Sequence, residues 1–418
     1  MMNFFRNRWW VVVASMSGLL VGSGAVNVFA LGVFLKPVTQ DLHVGRGYFA
    51  SGILLSSILT ALGCFFIGYF LDRFGTRRVM IPGVLLYAAA TAGYSMLTAS
   101  PFVLYALFLA TGLVGVIGSP VPYGCAVAKW FDARRGLALG ISQAGVGLGV
   151  AIVPKIAERL ILHFGWRAGF LGMGVTILVF AFIPIALFLR DPSPQDRARI
   201  SDVAPAGNLP GISATQAFRG AWRFWALCLV FFLAVTSING TLTHVVPYLT
   251  DRGISIQTAT SALSLAGIAL LLGRAFSGWC VDRFFAPYVA IVFFLFPMGG
   301  VALLASGWGG AAPIVGTVCL GLAIGAEADL LAYFVSRYFG LKDYAKIYGT
   351  MFGIFAIAAG FGPWLGGTIY DHFHSYMPLF AFDEVAILVI CALLLPLGPY
   401  AYPAPGQSPR GARLRATA

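Results

Sequence analysis

Charge is what this sequence has least of. Its 418 residues include only 27 Lys and Arg and 15 Asp and Glu, against 59% hydrophobic residues. Mean hydropathy is +0.87. A soluble chain of this length could bury a large core but would need many more charged residues to cover its surface, so a soluble enzyme is excluded. Cysteine is also scarce. The six (Cys64, Cys125, Cys228, Cys280, Cys319 and Cys391) stand singly in apolar segments, with no CxxC and no histidine at ligand spacing. They read as small core residues rather than disulfides or metal ligands. Also missing are HExxH, Gly-x-Ser-x-Gly and a P-loop, which excludes the enzymes those motifs mark and ATP-driven transport. Nothing calls for a cofactor or a metal.

What the chain has is long apolar runs. Crossing the hydrocarbon takes about 20 apolar residues, and twelve segments qualify: 11–35, 48–71, 77–97, 101–128, 136–160, 167–189, 223–250, 258–281, 286–306, 311–338, 345–370 and 378–400. The start, MMNFFRNRWW, resembles the basic end of a signal peptide. No small-residue cleavage site leads from it into polar sequence, so the first segment is expected to stay in the membrane. One long polar stretch, 190–220, is rich in Pro, Gly and mixed charge and suits a linker. The expected units are residues 1–190, a linker 191–221, residues 222–400 and a tail 401–418. With the termini and linker in the cytoplasm, 20 Lys and Arg fall on that side and 6 on the other, leaving Arg274 inside the membrane. That bias sets the orientation in a plasma (inner) membrane. It also accounts for the net charge of +12 through anionic lipid instead of nucleic acid.

The two halves echo each other. Gly68-Tyr-Phe-Leu-Asp72-Arg73 ends the second segment and Gly278-Trp-Cys-Val-Asp282-Arg283 ends the eighth, an offset of 210; Gly136 and Gly140 recur as Gly349 and Gly353, an offset of 213. A six-helix unit used twice implies a substrate site between the halves near the midplane. The expected fold is an all-α membrane protein of twelve helices in two six-helix bundles.

The loop 68-GYFLDRFGTRR-78 resembles the signature of the major facilitator superfamily, with Gly68, Asp72, Arg73, Gly75, Arg77 and Arg78 in matching places. The resemblance implies a conformational latch there, with Asp282 and Arg283 as its counterpart. The run 129-KWFDARRGLALGISQAGVGLG-149 is similar to the fourth-to-fifth helix signature of the monocarboxylate transporters and the oxalate/formate antiporter group. Within it Gly145 and Gly149 form GxxxG, which lets two helices pack backbone to backbone.

A charge at the middle of a bilayer helix costs roughly 2.5–3.5 kcal/mol on insertion scales, so Arg274 needs a reason. It lies eight residues before Asp282, about 12 Å inside the helix end at ~1.5 Å per residue. A guanidinium facing a wet cavity offers a planar fork matched to a carboxylate, and the group resemblance implies that role; the alternative is a permanent structural ion pair. Glu327 and Asp329 read as the only acidic residues deep in a span, candidates for pairing with Arg274 or for carrying a proton. The resemblance does not settle proton coupling, because the eighth-helix acid and first-helix lysine of the better-known monocarboxylate transporters correspond here to Leu270 and Phe29.

The second cation expected of an oxalate exchanger in the eleventh helix is also missing, with Phe355 near its place. One cation suits one carboxylate, since a second buried charge would stay unpaired. Further cavity candidates are Asn27, Tyr123, Gln143, Asn239, His244 and Tyr333, with a break expected in the seventh helix at Pro247. The aromatic content of 14% reads partly as interface anchoring and is not taken as an aromatic-substrate pocket. The favoured function is secondary transport of a small organic monocarboxylate of the lactate or pyruvate kind, with protons, by a monomer. A carrier of another solute (a different anion, a drug or a sugar) and a transporter-like sensor remain as alternatives.

Overall fold

The computed structural model describes residues 7–131, 135–192, 211–220 and 222–402. Among them the chain is helical apart from short connections and one isolated bridge, Gly211 to Gly340. Eleven helical runs are long and apolar enough to cross a membrane. The fifth, Gly136–Phe188, has 53 residues and would measure about 80 Å if straight, against a hydrocarbon core of about 30 Å. It turns back at Gly165, where φ is 75° and ψ 169°, a region essentially reserved for glycine. The eleven runs therefore make twelve crossings.

The spanning helices are α1 (Trp9–Leu42), α2 (Arg46–Phe74), α3 (Thr76–Met96), α4 (Pro101–Ala128), α5 (135–164) and α6 (166–188) in the first half. The second half has α7 (Trp222–Asp251), α8 (Ile256–Arg283), α9 (Ala286–Ala305), α10 (Ala312–Tyr338), α11 (Tyr344–Phe373) and α12 (Met377–Leu397). Pro101, Pro287, Pro313 and Pro378 stand in the first turns of α4, α9, α10 and α12, where a missing N–H costs nothing. Large apolar side chains such as Phe66, Phe102 and Leu113 are exposed on the outside. That suits a bundle whose solvent is lipid.

The halves meet mainly along two seams, α2 against α11 and α5 against α8, with a smaller contact between α1 and α7. Shifting by one six-helix unit turns α2 into α8 and α5 into α11, so the seams are equivalent under the repeat. In the first seam the backbones nearly touch: a Cβ on Gly47 would lie 2.8 Å from Thr368, and one on Gly367 would lie 2.8 Å from the Arg46 backbone. Gly145 and Gly149 face the α1 backbone at Met16 and Leu20. Ahead of α7 a short helix, Ala214–Gly220, docks on the loop between α10 and α11, with Ala214 donating to Asp343 at 2.9 Å. Most of the 191–221 linker, the 401–418 tail beyond Tyr402, Arg134 and the Arg135 side chain lie outside the described residues.

Candidate functional site

Two helices of the first half are broken where they reach the centre. In α1 the α-helix stops at Leu20 and resumes through a π-turn, Ala25–Ala30. In α4 a 3-10 turn at Val116–Gly118 precedes a restart at Pro120. The breaks face each other, since a Cβ on Gly118 would lie 2.7 Å from the Ser23 backbone nitrogen. Single π-turns in α-helices frequently mark functional sites, and Asn27 sits in this one, accepting from Tyr87 Oη at 3.3 Å. The expected break in α7 is absent: Pro247 sits near the end of a continuous helix. The sequence signals were Gly22-Ser23-Gly24 and Gly118-Ser119-Pro120, which place flexible or N–H-free backbone inside apolar runs.

Between the halves lies a cavity of about 310 Å³. Arg274 of α8 reaches it from one side. Its Nε is 3.2 Å from Asp329 Oδ2 of α10, and its Nη1 is 3.4 Å from the Gln143 carbonyl of α5. The pair is lopsided: the Asp329 side chain is 45% exposed and that of Arg274 20%. Glu327, also at the lining, is fully buried, and neither carboxylate oxygen has a hydrogen-bond partner among the described residues. A bare carboxylate in such a place costs several kcal/mol, so a proton or a cation has to accompany its charge.

Asn27, Gln143, Asn239, Arg274, Glu327, Asp329 and Phe355 all reach the lining. Sequence reasoning missed Ser23, Ser56, Ser57, Thr60 and Ser119 of the first half and Tyr348 and Phe352 of α11. Three candidates lie elsewhere. Tyr123 is buried against Gly18, where α4 packs on α1. Tyr333 donates to the Val281 carbonyl at 3.2 Å and lies beside Arg337 and Tyr400. His244 is locked in a chain: Arg46 Nη1 donates to Tyr376 Oη at 2.7 Å, Tyr376 is 3.0 Å from His244 Nδ1, and His244 Nε2 lies 2.8 Å from the Pro363 carbonyl. A carbonyl only accepts, so Nε2 is the donor, Nδ1 receives the tyrosine proton, and both ring nitrogens are satisfied.

That chain belongs to a closure at the face opposite the termini. Arg46 Nη2 and Lys36 Nζ, from the first half, each lie 2.7 Å from Asp251 of the second. The backbone N–H groups of Arg46 and Gly47, at the start of α2, both donate to Asp371 at 2.8 Å. Across the other seam Lys155 reaches the Gln257 carbonyl at 2.7 Å and Thr260 at 2.8 Å, and Thr260 also bonds Glu158. Nothing in the sequence singled out Lys36, Arg46 or Lys155, because a partner contributed by the other half has no local signature.

Toward the termini the halves part. A Cβ on Gly136, Gly140 or Gly349 would meet nothing within 4 Å, and Tyr69 of α2 is exposed. Among the described residues, the latch residues contact only their own half. Asp72 pairs with Lys129 at 3.2 Å, Arg73 bonds Tyr69, Arg77 reaches the Ala186 carbonyl at 2.8 Å, and Arg283 lies over Trp279. Arg78 and Asp282 are exposed, and a Cβ on Gly68 would meet open space. Gly75 takes a φ of 87° beside Asp191. Asp191, just past α6, accepts from the Thr76 and Arg77 N–H groups at 3.0 and 3.3 Å. Burial pushes its carboxyl up, but these hydrogen bonds outweigh that and hold it below the ordinary aspartate value. It thus caps the start of α3.

One deep acid escaped the sequence reading. Asp383 of α12 is fully buried and accepts from Thr241 of α7, with its other oxygen unpartnered among the described residues. Its position near a segment end hid its depth, and it lies away from the cavity lining.

Two helical bundles around a central cavity, joined at one face and parted at the other, define a membrane transporter. The chain belongs to the Major Facilitator Superfamily, whose model matches residues 16–363. It is 28% identical to the oxalate:formate antiporter of Oxalobacter formigenes, over 88% of this chain and 86% of that one. It is 24% identical to monocarboxylate transporter 12-B of Danio rerio, over 92% and 86%. A solved structure, of a bacterial homologue to the human lysosomal transporter Spinster, shares the fold with a TM-score of 0.64 at 16% identity, covering 93% of this chain and 94% of that one.

Proposed function

We propose that this transporter moves a small organic anion bearing one carboxylate, with a proton as co-substrate, by alternating access. The observation that carries the reading is Arg274, a cavity-facing guanidinium held from one side by Asp329, with Gln143 of the other half beside it. A charge-assisted fork of this kind suits a carboxylate. Its position between halves makes its surroundings change as they rock. Among the described residues the cavity lining holds no other Lys or Arg, which favours one anionic group over two. Glu327 or Asp329 would carry the proton.

The positive-inside bias supports cytoplasmic termini in a plasma (inner) membrane, and with that orientation the state described is open to the cytoplasm. In the opposite state Asp72, Arg73, Arg77 and Arg78 would meet Asp282, Arg283 and their neighbours across the closed cytoplasmic face. Residues 1–190 and 222–400 act as the two moving units of a monomer, joined by 191–221.

The test is uptake of labelled monocarboxylates into proteoliposomes, with and without an inward proton gradient, for the native protein and Arg274→Gln. Gradient-stimulated uptake that disappears in the variant is expected. Uptake untouched by the substitution would make Arg274 structural and favour a carrier of another solute. Binding without flux would favour a sensor.

A further inference from the structure

Tyr344, Tyr348, Phe352 and Phe355 recur at helical spacing on one face of α11, and their rings lie nearly parallel. Centroids are 5.6 Å apart at 7° for Tyr344 and Tyr348, 5.8 Å at 22° for Tyr348 and Phe352, and 5.5 Å at 7° for Phe352 and Phe355. Interface anchoring does not account for them, because the last three line the central cavity together with Arg274. All three are half-buried, so part of each ring is open. The first half contributes a wall of another character: Asn27, Ser56, Ser57, Thr60 and Ser119. Among the described residues the cavity thus combines one cation, a ladder of aromatic rings and a set of hydroxyl and amide groups.

A three-carbon acid uses only the first of these. The cavity's volume of about 310 Å³ is more than such an acid fills. With its carboxylate on Arg274 it would leave the rings uncovered. A flat ring can instead stack in the offset geometry that aromatic pairs prefer, and hydroxyls on that ring would find partners among the serines and threonine.

We propose that the transported monocarboxylate is aromatic, its carboxylate on Arg274 and its ring against Tyr348, Phe352 and Phe355. This rests on the carboxylate role of Arg274 given above. Selection among acids then comes from α11, while Arg274 supplies the shared attraction for the anionic group.

The experiment measures equilibrium binding of benzoate, a hydroxybenzoate, cyclohexanecarboxylate and pyruvate to the purified full-length protein. Arg274→Gln, Phe352→Leu, Phe355→Leu and Tyr348→Phe are compared, each checked by its elution profile and melting temperature. Benzoate is expected to bind about tenfold or more tighter than pyruvate, and tighter than the saturated ring of similar size. Phe352→Leu should bring benzoate down to cyclohexanecarboxylate with pyruvate unchanged, and Tyr348→Phe should keep the preference. Pyruvate binding as tightly as benzoate, or a preference that survives both leucine substitutions, would overturn the aromatic assignment. If Arg274→Gln still abolished binding in that case, the carboxylate reading would stand alone. Benzoate binding untouched by Arg274→Gln, or no acid bound by folded protein, would overturn both.

Discussion

The guanidinium of Arg46 and the carboxylate of Asp251 lie 2.7 Å apart across the boundary between the halves, with Lys36 equally close to the other oxygen of that carboxylate. Two cations of one half share one anion of the other, and the Arg46 side chain is only 9% exposed. Removing one member of a buried pair strands its partner, at about 3–5 kcal/mol in a fully buried setting; partial exposure of Asp251 and Lys36 reduces that here. The cost falls on the state that holds the contact closed. Asp251→Asn is therefore expected to shift the population toward opening at this face. Spin labels at His43 and Ser306, one on each half, would report a broader and longer distance distribution. An unchanged distribution would show that the closure rests on packing alone.

If Arg274 binds the transported anion as proposed, Asp329, 3.2 Å from its Nε, competes with that anion. Its pair is half open to the cavity, so the carboxylate can be displaced but must be displaced each time. Asp329→Asn is expected to tighten equilibrium binding of a carboxylate several-fold, on the order of 1 kcal/mol for a charge-assisted contact no longer contested. Turnover in liposomes should fall as release slows. Weaker binding in the variant would mean that Asp329 orients Arg274 rather than opposing the substrate.

Glu327 has no protein partner for either oxygen among the described residues. If it carries the coupled proton, Glu327→Gln mimics the protonated acid and should leave exchange of one labelled anion for another intact while removing stimulation by a proton gradient. Loss of both activities together would point to a structural role. Stimulation that persists would move the proton to Asp329.

Gly165 separates α5 from α6 with a φ of 75°, and a Cβ there would meet nothing within 4 Å. Any cost of Gly165→Ala is therefore backbone cost, about 1–3 kcal/mol for a residue forced into this region. A lowered melting temperature with unchanged anion affinity is expected. A neutral result would mean the turn re-forms without the left-handed residue.

Much of this protein was legible before folding, and for definite reasons. Arg274 stood out because a charge inside an apolar run is costly wherever the run packs, and Gly75 because a tight loop needs its positive φ. The α11 ladder was readable too, since Tyr344, Tyr348, Phe352 and Phe355 are spaced for one helical face, but the aromatic content was read as a bulk quantity. His244 left two readings open, a cavity ligand or a histidine satisfied by a neighbouring carbonyl, and its bond to Pro363 is of the second kind; a lone histidine in a span signals a polar neighbour without saying which.

Hydropathy, glycine placement and the repeated motifs determined the twelve crossings and the six-plus-six plan, because a bilayer tests each segment almost separately for length and polarity. Which polar residues meet was decided only when the helices packed, both within each half and where the halves meet. The pairing of Arg46 with Asp251, the burial of Asp383 beside Thr241, and the alignment of the α1 and α4 breaks on one cavity join residues distant in the chain. Such contacts depend on how whole helices rotate and approach, and no local pattern encodes that.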